Sequence, residues 1–248
     1  MLEFPTQSSK RTAKASNVNG EANAEPRREK MKIVVIGATG AVGKLVVQVA
    51  TQRGHEVTAL VRKAPPAGEF PSGVNVVTGN LSEQTVVDSA VAGQDVVVSC
   101  VGLRIDSLAP WNSPHDVDSF LALNERVTKA IQTKGVKRAI VVSSTGVGDN
   151  FHKVSLFFKA FFTLSALSKI FPVLDKMEAM YESVPGLDLC LVHPSILTDA
   201  AAATYKAHVV DDLYGLPKTV SRIDLAEFLV SEVEKPSPFA HRRPYVTA

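Results

Sequence analysis

Cysteine is scarce in this chain: 248 residues hold only Cys100 and Cys190, each at the end of an apolar run. With no further thiol nearby, a metal centre built on cysteine is not expected; two buried free thiols in a reducing compartment are. Long hydrophobic runs are also missing, and none reaches the roughly eighteen residues that cross a bilayer. Charge of one sign is not in excess. The net charge is +2, and the first thirty residues, with six Lys or Arg against four Glu, account for all of it. The remaining 218 residues hold 21 basic and 21 acidic side chains. A neutral body lacks the basic face that neutralises phosphates, so no nucleic-acid partner is expected. What remains, 45% apolar and 21% charged residues, is the composition of an ordinary globular domain of this length.

Residues 1–30 lack hydrophobic periodicity and hold a single aromatic, Phe4. They are expected to form a disordered tail ahead of one domain at 31–248. The tail has no apolar core for a secretory signal, and its four Glu argue against a transit peptide. A cytoplasmic location is the expectation, with organelle targeting by the tail left open.

The body alternates strand and helix signals. Strands are expected at 32–36, 56–61, 74–78, 95–101, 138–143 and 187–193, with an edge strand at 244–247. Helices are expected at 41–53, at 82–91 with Ser82 as N-cap, at 117–134 ending on Gly135, and at 221–234. Near-continuous apolar strands separated by helices predict an α/β fold: a Rossmann-type, doubly wound parallel sheet with right-handed crossovers.

The first strand runs directly into Gly37-Ala38-Thr39-Gly40-Ala41-Val42-Gly43, which opens a helix. In that setting the three glycines are expected to turn the chain off the strand, admit a pyrophosphate to the backbone and let the helix pack closely. Free N–H groups at the helix start, with the positive end of its dipole, suit phosphate. The second strand ends in Arg62-Lys63, where an NAD site places an acid for the ribose 2′-hydroxyl. Two cations suit a 2′-phosphate instead, so NADP(H) is the expected cofactor. Asn80-Leu81 is expected to flank the adenine, and Gly102 to let the backbone lie against the cofactor.

With IGATGAVGK, VTALVRK, VVTGNL, VVVSCVG, VVSSTGVGD, LVHPSILTD and VSRIDLAEFL in that order, residues 31–248 resemble the atypical short-chain dehydrogenases. Within them the chain is most similar to the NAD(P)H-binding group that includes NmrA-like and biliverdin reductase B-like proteins. The resemblance implies a Rossmann fold and NADP(H) binding, but no single substrate, because the group includes reductases, epimerases and silent sensors. It implies that Ser143 and Ser144 close the fifth strand, one of them facing the nicotinamide, and that Pro194 borders the nicotinamide pocket. Ser195 stands where the reductases carry a histidine near the substrate, so a different substrate pocket is expected. Asp175-Lys176 matches an Asp-Lys pair on a helix.

The larger superfamily uses Tyr-x-x-x-Lys on one helix face, the tyrosine donating a proton and the lysine lowering its pKa. Four residues before Lys176 stands Pro172, so the tyrosine is missing. The formal match from Tyr214 to Lys218 contains Gly215 and Pro217 and reads as a loop coincidence. The candidate catalytic groups are therefore Ser144, as hydrogen-bond donor, and Lys176, if it reaches the pocket; water would supply the proton. His193 reads as structural. Segment 151–171 carries six of the eleven Phe, at 151, 157, 158, 161, 162 and 171. It reads as a helix packed on the sheet, as an apolar lid over the nicotinamide, or as a membrane-surface or dimer helix. The expected function is NADPH-dependent reduction of a planar conjugated or carbonyl small molecule. A silent NADP(H) sensor that signals to a partner and an NADP-dependent epimerase or isomerase are the alternatives, and an oligomer is possible.

Overall fold

The computed structural model describes residues 29–148, 156–203, 205–208, 219–235 and 243–247. The expected tail (all but its last two residues), Phe151 and the segment Tyr214 to Lys218 lie outside the described residues.

Ten strands and six helices are described: β1 (Lys32–Ile36), α1 (Ala41–Gln52), β2 (Glu56–Val61), β3 (Asn75–Thr78), α2 (Gln84–Val91), β4 (Val96–Ser99), α3 (Val117–Lys134), β5 (Arg138–Val142), α4 (Leu156–Thr163), α5 (Leu167–Glu182), β6 (Asp188–Pro194), β7 (Ile196–Thr198), β8 (Lys206–His208), β9 (Thr219–Ser221), α6 (Arg222–Glu234) and β10 (Tyr245–Thr247). Eight strands form one sheet in the order β3-β2-β1-β4-β5-β6-β10-β8. All pairings are parallel except β10 with β8. The chain leaves β1 for β2 on one side and returns to β4 on the other, so the strand order reverses beside β1, as expected of a doubly wound sheet.

The apolar runs make the sheet because both of its faces are covered. Ile33 and Val35 of β1 pack with Val46, Val47 and Ala50 of α1 and Leu225, Phe228 and Leu229 of α6. Val34 and Ile36 point the other way, into a core shared with Val87 of α2, Val127 and Ile131 of α3, and Leu174 and Met177 of α5. Side chains alternate with period two, and each lands in an apolar layer. Helix α6 starts on a reciprocal cap: Asp224 N–H donates to Ser221 Oγ at 3.1 Å, and Ser221 Oγ donates to Asp224 Oδ2 at 2.6 Å.

Two local expectations are corrected. Ser82 does not cap α2: the helix begins at Gln84 behind Glu83, and the Ser82 N–H donates to Asn80 Oδ1 at 3.1 Å in a side-chain turn. The last strand is not an edge; β10 lies between β6 and β8, because residues 206–208 return antiparallel to cover it. A separate parallel pair, β7 with β9, had no expectation in the sequence; each strand is three residues long.

Between α3, α5 and β4 sits a buried polar link. Tyr181 OH donates to Asn124 Oδ1 at 3.1 Å, and Asn124 Nδ2 donates to the Phe120 carbonyl at 2.9 Å. Tyr181→Phe takes this partner from the Asn124 oxygen and from the buried Ser99 hydroxyl of β4. Stability should fall by about 1–3 kcal/mol, read as a lower urea midpoint with an unchanged slope.

Candidate functional site

The C-terminal edge of the sheet carries every candidate residue that follows a strand. At its centre Gly37 leaves β1 at φ +80°, in the left-handed region, and turns the chain beneath α1. A Cβ there would also press on the Cys100 and Val101 backbone at 3.1 Å. The Gly40 N–H closes the turn on the Gly37 carbonyl at 2.9 Å. One helical turn later, a Cβ on Gly43 would overlap the Gly37 carbonyl oxygen outright. The first turn of α1 therefore lies directly on the loop. No side chain caps the helix and no acid stands in its first turn, so its leading N–H groups face out unopposed. Thr39, Gly40 and Ala41 are exposed around it, and Val42 is half-buried. This cradle fits a pyrophosphate: it offers N–H donors, a positive dipole end and no competing anion.

Arg62 and Lys63 leave β2 exposed, on one side of the cradle. Neither bonds to a carboxylate among the described residues. The nearby chain is held differently: Lys44 of α1 pairs with Glu69 in the loop after them. Asn80 is exposed and turns its Oδ1 to Ser82, while Leu81 is half-buried against the α2–α3 core. On the other side, Gly102 is exposed after β4, and nothing lies within 4 Å of where its Cβ would be.

Ser143 and Ser144 follow β5. Ser143 is buried and donates its hydroxyl hydrogen to Glu178 Oε1 on α5. Ser144 is half-buried, and its hydroxyl has only a long 3.4 Å contact to the Thr145 carbonyl. Thr145 Oγ1 donates to the carbonyl of Pro194 at 2.8 Å, tying this loop to the end of β6, where Pro194 is buried. Lys176 is exposed on α5, and Pro172 lies within the same helix. The structure thus gathers the glycine loop, Arg62, Lys63, Gly102, Ser143, Ser144 and Pro194 along one edge, but gives Lys176 no buried place among them.

One functional group escaped the sequence reading. Glu178 is fully buried, 3.0 Å from His193 Nε2 and 3.3 Å from Arg243 Nη2. His193 holds the carboxylate both as a hydrogen-bond partner and through its charge, and Arg243 adds a charge contact. Burial alone would raise the Glu178 carboxyl, but His193, Ser143 and Arg243 together outweigh it and hold the group below the ordinary carboxylate range.

Segment 151–171 is divided. Phe162 stacks edge-on against buried Phe171 at 5.1 Å, and both crowd the Cβ position of Gly146 in the loop after Ser144. Leu156, Phe161 and Leu164 stay exposed, as do Leu108 and Trp111 in the loop after β4. The two exposed groups are joined where the Ala166 N–H donates to the Leu108 carbonyl at 3.1 Å and Lys169 Nζ to that of Asn112 at 2.8 Å. Among the described residues, no helix is long and apolar enough to cross a membrane, and no His, Cys, Asp and Glu cluster suits a metal ion.

Gly43→Ala should cost about 1–3 kcal/mol of stability, as α1 backs away from Gly37; chemical denaturation measures it. Burial pushes the Cys100 thiol up to about 12 and raises Cys190 as well, with the carboxylates of Glu232 and Asp188 adding to the latter. Both thiols should resist a disulfide reagent at mildly alkaline pH in the folded chain and react once it is unfolded.

A family model described as NAD(P)H-binding matches residues 37–236. An isoflavone reductase homolog of Nicotiana tabacum is 27% identical over 229 residues, covering 77% of this chain and 68% of the relative. Eugenol synthase 1 of Petunia hybrida is 37% identical over 155 residues, 48% of this chain and 50% of that one. An isoflavone reductase homolog of Zea mays is 39% identical over 83 residues, and the match spans 27% of its length. Among solved structures, ChuY, an anaerobillin reductase from Escherichia coli O157:H7, superposes with a TM-score of 0.68 at 21% identity, covering 87% of this chain and 96% of that one. A short-chain dehydrogenase/reductase from Veillonella parvula in complex with NADP superposes at 0.69 and 17% identity, covering 89% and 95%. These two likenesses are of fold. The match over residues 37–236 decides the family: the chain belongs to the NAD(P)H-binding family, on a Rossmann-type fold.

Proposed function

We propose that residues 31–248 form one domain that binds NADP(H) in preference to NAD(H) and reduces a planar conjugated or carbonyl small molecule without a Tyr-x-x-x-Lys pair. The observation that carries the reading is the uncapped α1 N-terminus with exposed Arg62 and Lys63 one strand away, where no acid stands. When bound, NADPH supplies the hydride. The residues of the chain bind and orient. Gly37, Thr39, Gly40, Ala41, Val42 and Gly43 cradle the pyrophosphate, and Arg62 and Lys63 hold the 2′-phosphate. Asn80 and Leu81 flank the adenine. Gly102, Ser143 and Pro194 border the nicotinamide. Ser144, whose hydroxyl is weakly held, donates to the acceptor oxygen of the substrate, and water delivers the proton. Exposed Lys176 contributes at most a distant positive charge.

The substrate class rests on the apolar rim. Leu108 and Trp111 rise after β4, Phe161 and Leu164 come from the segment after β5, and the two groups are joined at Ala166 and Lys169, so flat apolar ligands find an exposed apolar patch there. Two named relatives, an anaerobillin reductase and an isoflavone reductase homolog, carry names of conjugated substrates.

The test is a titration followed by turnover. Arg62→Ala should weaken NADPH binding about 10- to 100-fold and leave NADH nearly unchanged, as calorimetry would show. Mixing the protein with NADPH and a panel of flavins, quinones, tetrapyrroles and aldehydes should consume the reduced-nicotinamide absorbance with at least one acceptor. Equal affinity for NADPH and NADH, or an Arg62→Ala variant that binds NADPH as well as the parent, counts against the cofactor assignment. A silent NADP(H) sensor is the second reading, favoured by Pro172 in place of a tyrosine; tight binding with no turnover across the panel would select it.

A further inference from the structure

Beneath the ends of β5 and β6 the fold keeps a charge that neither the cradle nor the rim requires. Glu178 sits on the buried face of α5, in the apolar stripe that includes Leu174, Met177 and Tyr181. A lone carboxylate there would be costly, and a paired one gives roughly no net stability over an apolar side chain. The pairing is nevertheless elaborate. Glu178 Oε1 takes the Ser143 hydrogen bond and faces His193 Nε2; Oε2 faces Arg243, which also bonds Glu182 at 2.8 Å.

The consequence is a question of hydrogens. A serine hydroxyl has one hydrogen to give and two lone pairs to offer. The Ser143 hydrogen is committed to Glu178. Ser143 keeps 8% of its surface exposed, and only its lone pairs are left to meet a ligand. Its neighbour Ser144 is half-buried and has its hydrogen hardly engaged. We propose that Glu178 is a positioning residue that fixes Ser143 as a hydrogen-bond acceptor, that this acceptor selects the carboxamide N–H of the nicotinamide, and that Ser144 is thereby left as the hydroxyl donor to the substrate. The proposal rests on the NADP(H) reading above. It divides two adjacent serines into opposite roles through a third residue that need not touch either ligand.

The experiment uses the full chain, NADP⁺, and its acetylpyridine analogue, in which a methyl ketone replaces the carboxamide and removes the N–H. The parent should bind NADP⁺ about 3- to 10-fold more tightly than the analogue by calorimetry. Ser143→Ala should bring the two within about 2-fold. Glu178→Gln can present an N–H to Ser143 and free its hydrogen for the ketone, so the preference should shrink there or reverse. A merely structural role for Glu178 would weaken both ligands alike and leave their ratio unchanged. A parent that binds NADP⁺ but does not discriminate, or a preference that survives Ser143→Ala, overturns the proposal. If Glu178→Gln does not fold, as judged by circular dichroism, the Ser143→Ala comparison decides alone. No binding of NADP⁺ by the parent would instead sink the cofactor reading on which the proposal stands, and the proposal with it.

Discussion

The contact between the first turn of α1 and the carbonyl of Gly37 sets the geometry of the whole edge. The helix can come this close only because position 43 has no side chain. Once there, it cannot slide along or lift from β1, since α6 presses on it from the same side through Leu225, Phe228 and Leu229. The unpaired N–H groups of the helix are thereby pinned above the place where the strand order reverses. Each candidate recognition group takes its position from that point. Arg62 and Lys63 lie one strand to one side; Gly102, Ser143 and Ser144 lie one and two strands to the other. A ligand with a doubly charged centre and two unlike ends matches that layout.

The second constraint is the pleat. Successive side chains of a strand point to opposite faces, and Ser143, one residue past the end of β5, keeps that alternation. Ala139 and Val141 belong to the core beneath α3 and α5, so Ser143 points there too and meets Glu178. Ile140 packs on the α1–α6 side, and the Ser144 hydroxyl contacts the Thr145 carbonyl rather than α5. Two chemically identical hydroxyls thus meet different surroundings, and only one of them meets a carboxylate. The fold needs no change in residue type to give them different capacities.

Much of this was legible in the sequence, and the reasons differ by element. β1 and α3 are found within their expected limits because each carries a complete local signal: a β-branched run ahead of a glycine loop, and an amphipathic stretch closed by Gly135. The start of α2 differs from the expectation because Ser82 has the right side chain for a cap but stands one residue ahead of the cap position, Glu83, and is held by Asn80. β10 looked like an edge because its cover, residues 206–208, is three residues long and carries no periodicity. Glu178 was missed because its partners come from β5, β6 and the segment before β10, contacts that sequence spacing does not encode. One signal was available: residues 170, 171, 174, 177, 178 and 181 all fall on the buried face of α5, and a Glu at 178 breaks that apolar stripe. An acid in such a stripe calls for a buried partner.

The missing tyrosine then bears on which substrates suit the site. Reduction of an isolated carbonyl builds charge on one oxygen and needs a proton donor held against it as the charge forms. α5 offers none: Pro172 stands where a tyrosine would pair with Lys176, Lys176 itself is exposed, and the buried Glu178 is already held as an anion. A conjugated acceptor spreads the same charge over many atoms and tolerates later protonation from water. Such acceptors are also flat and apolar, and the rim formed by Leu108, Trp111, Phe161 and Leu164 offers them surface. The electronic demand and the shape of the rim therefore favour the conjugated half of the proposed substrate class over the simple carbonyls, and they do so from independent parts of the chain.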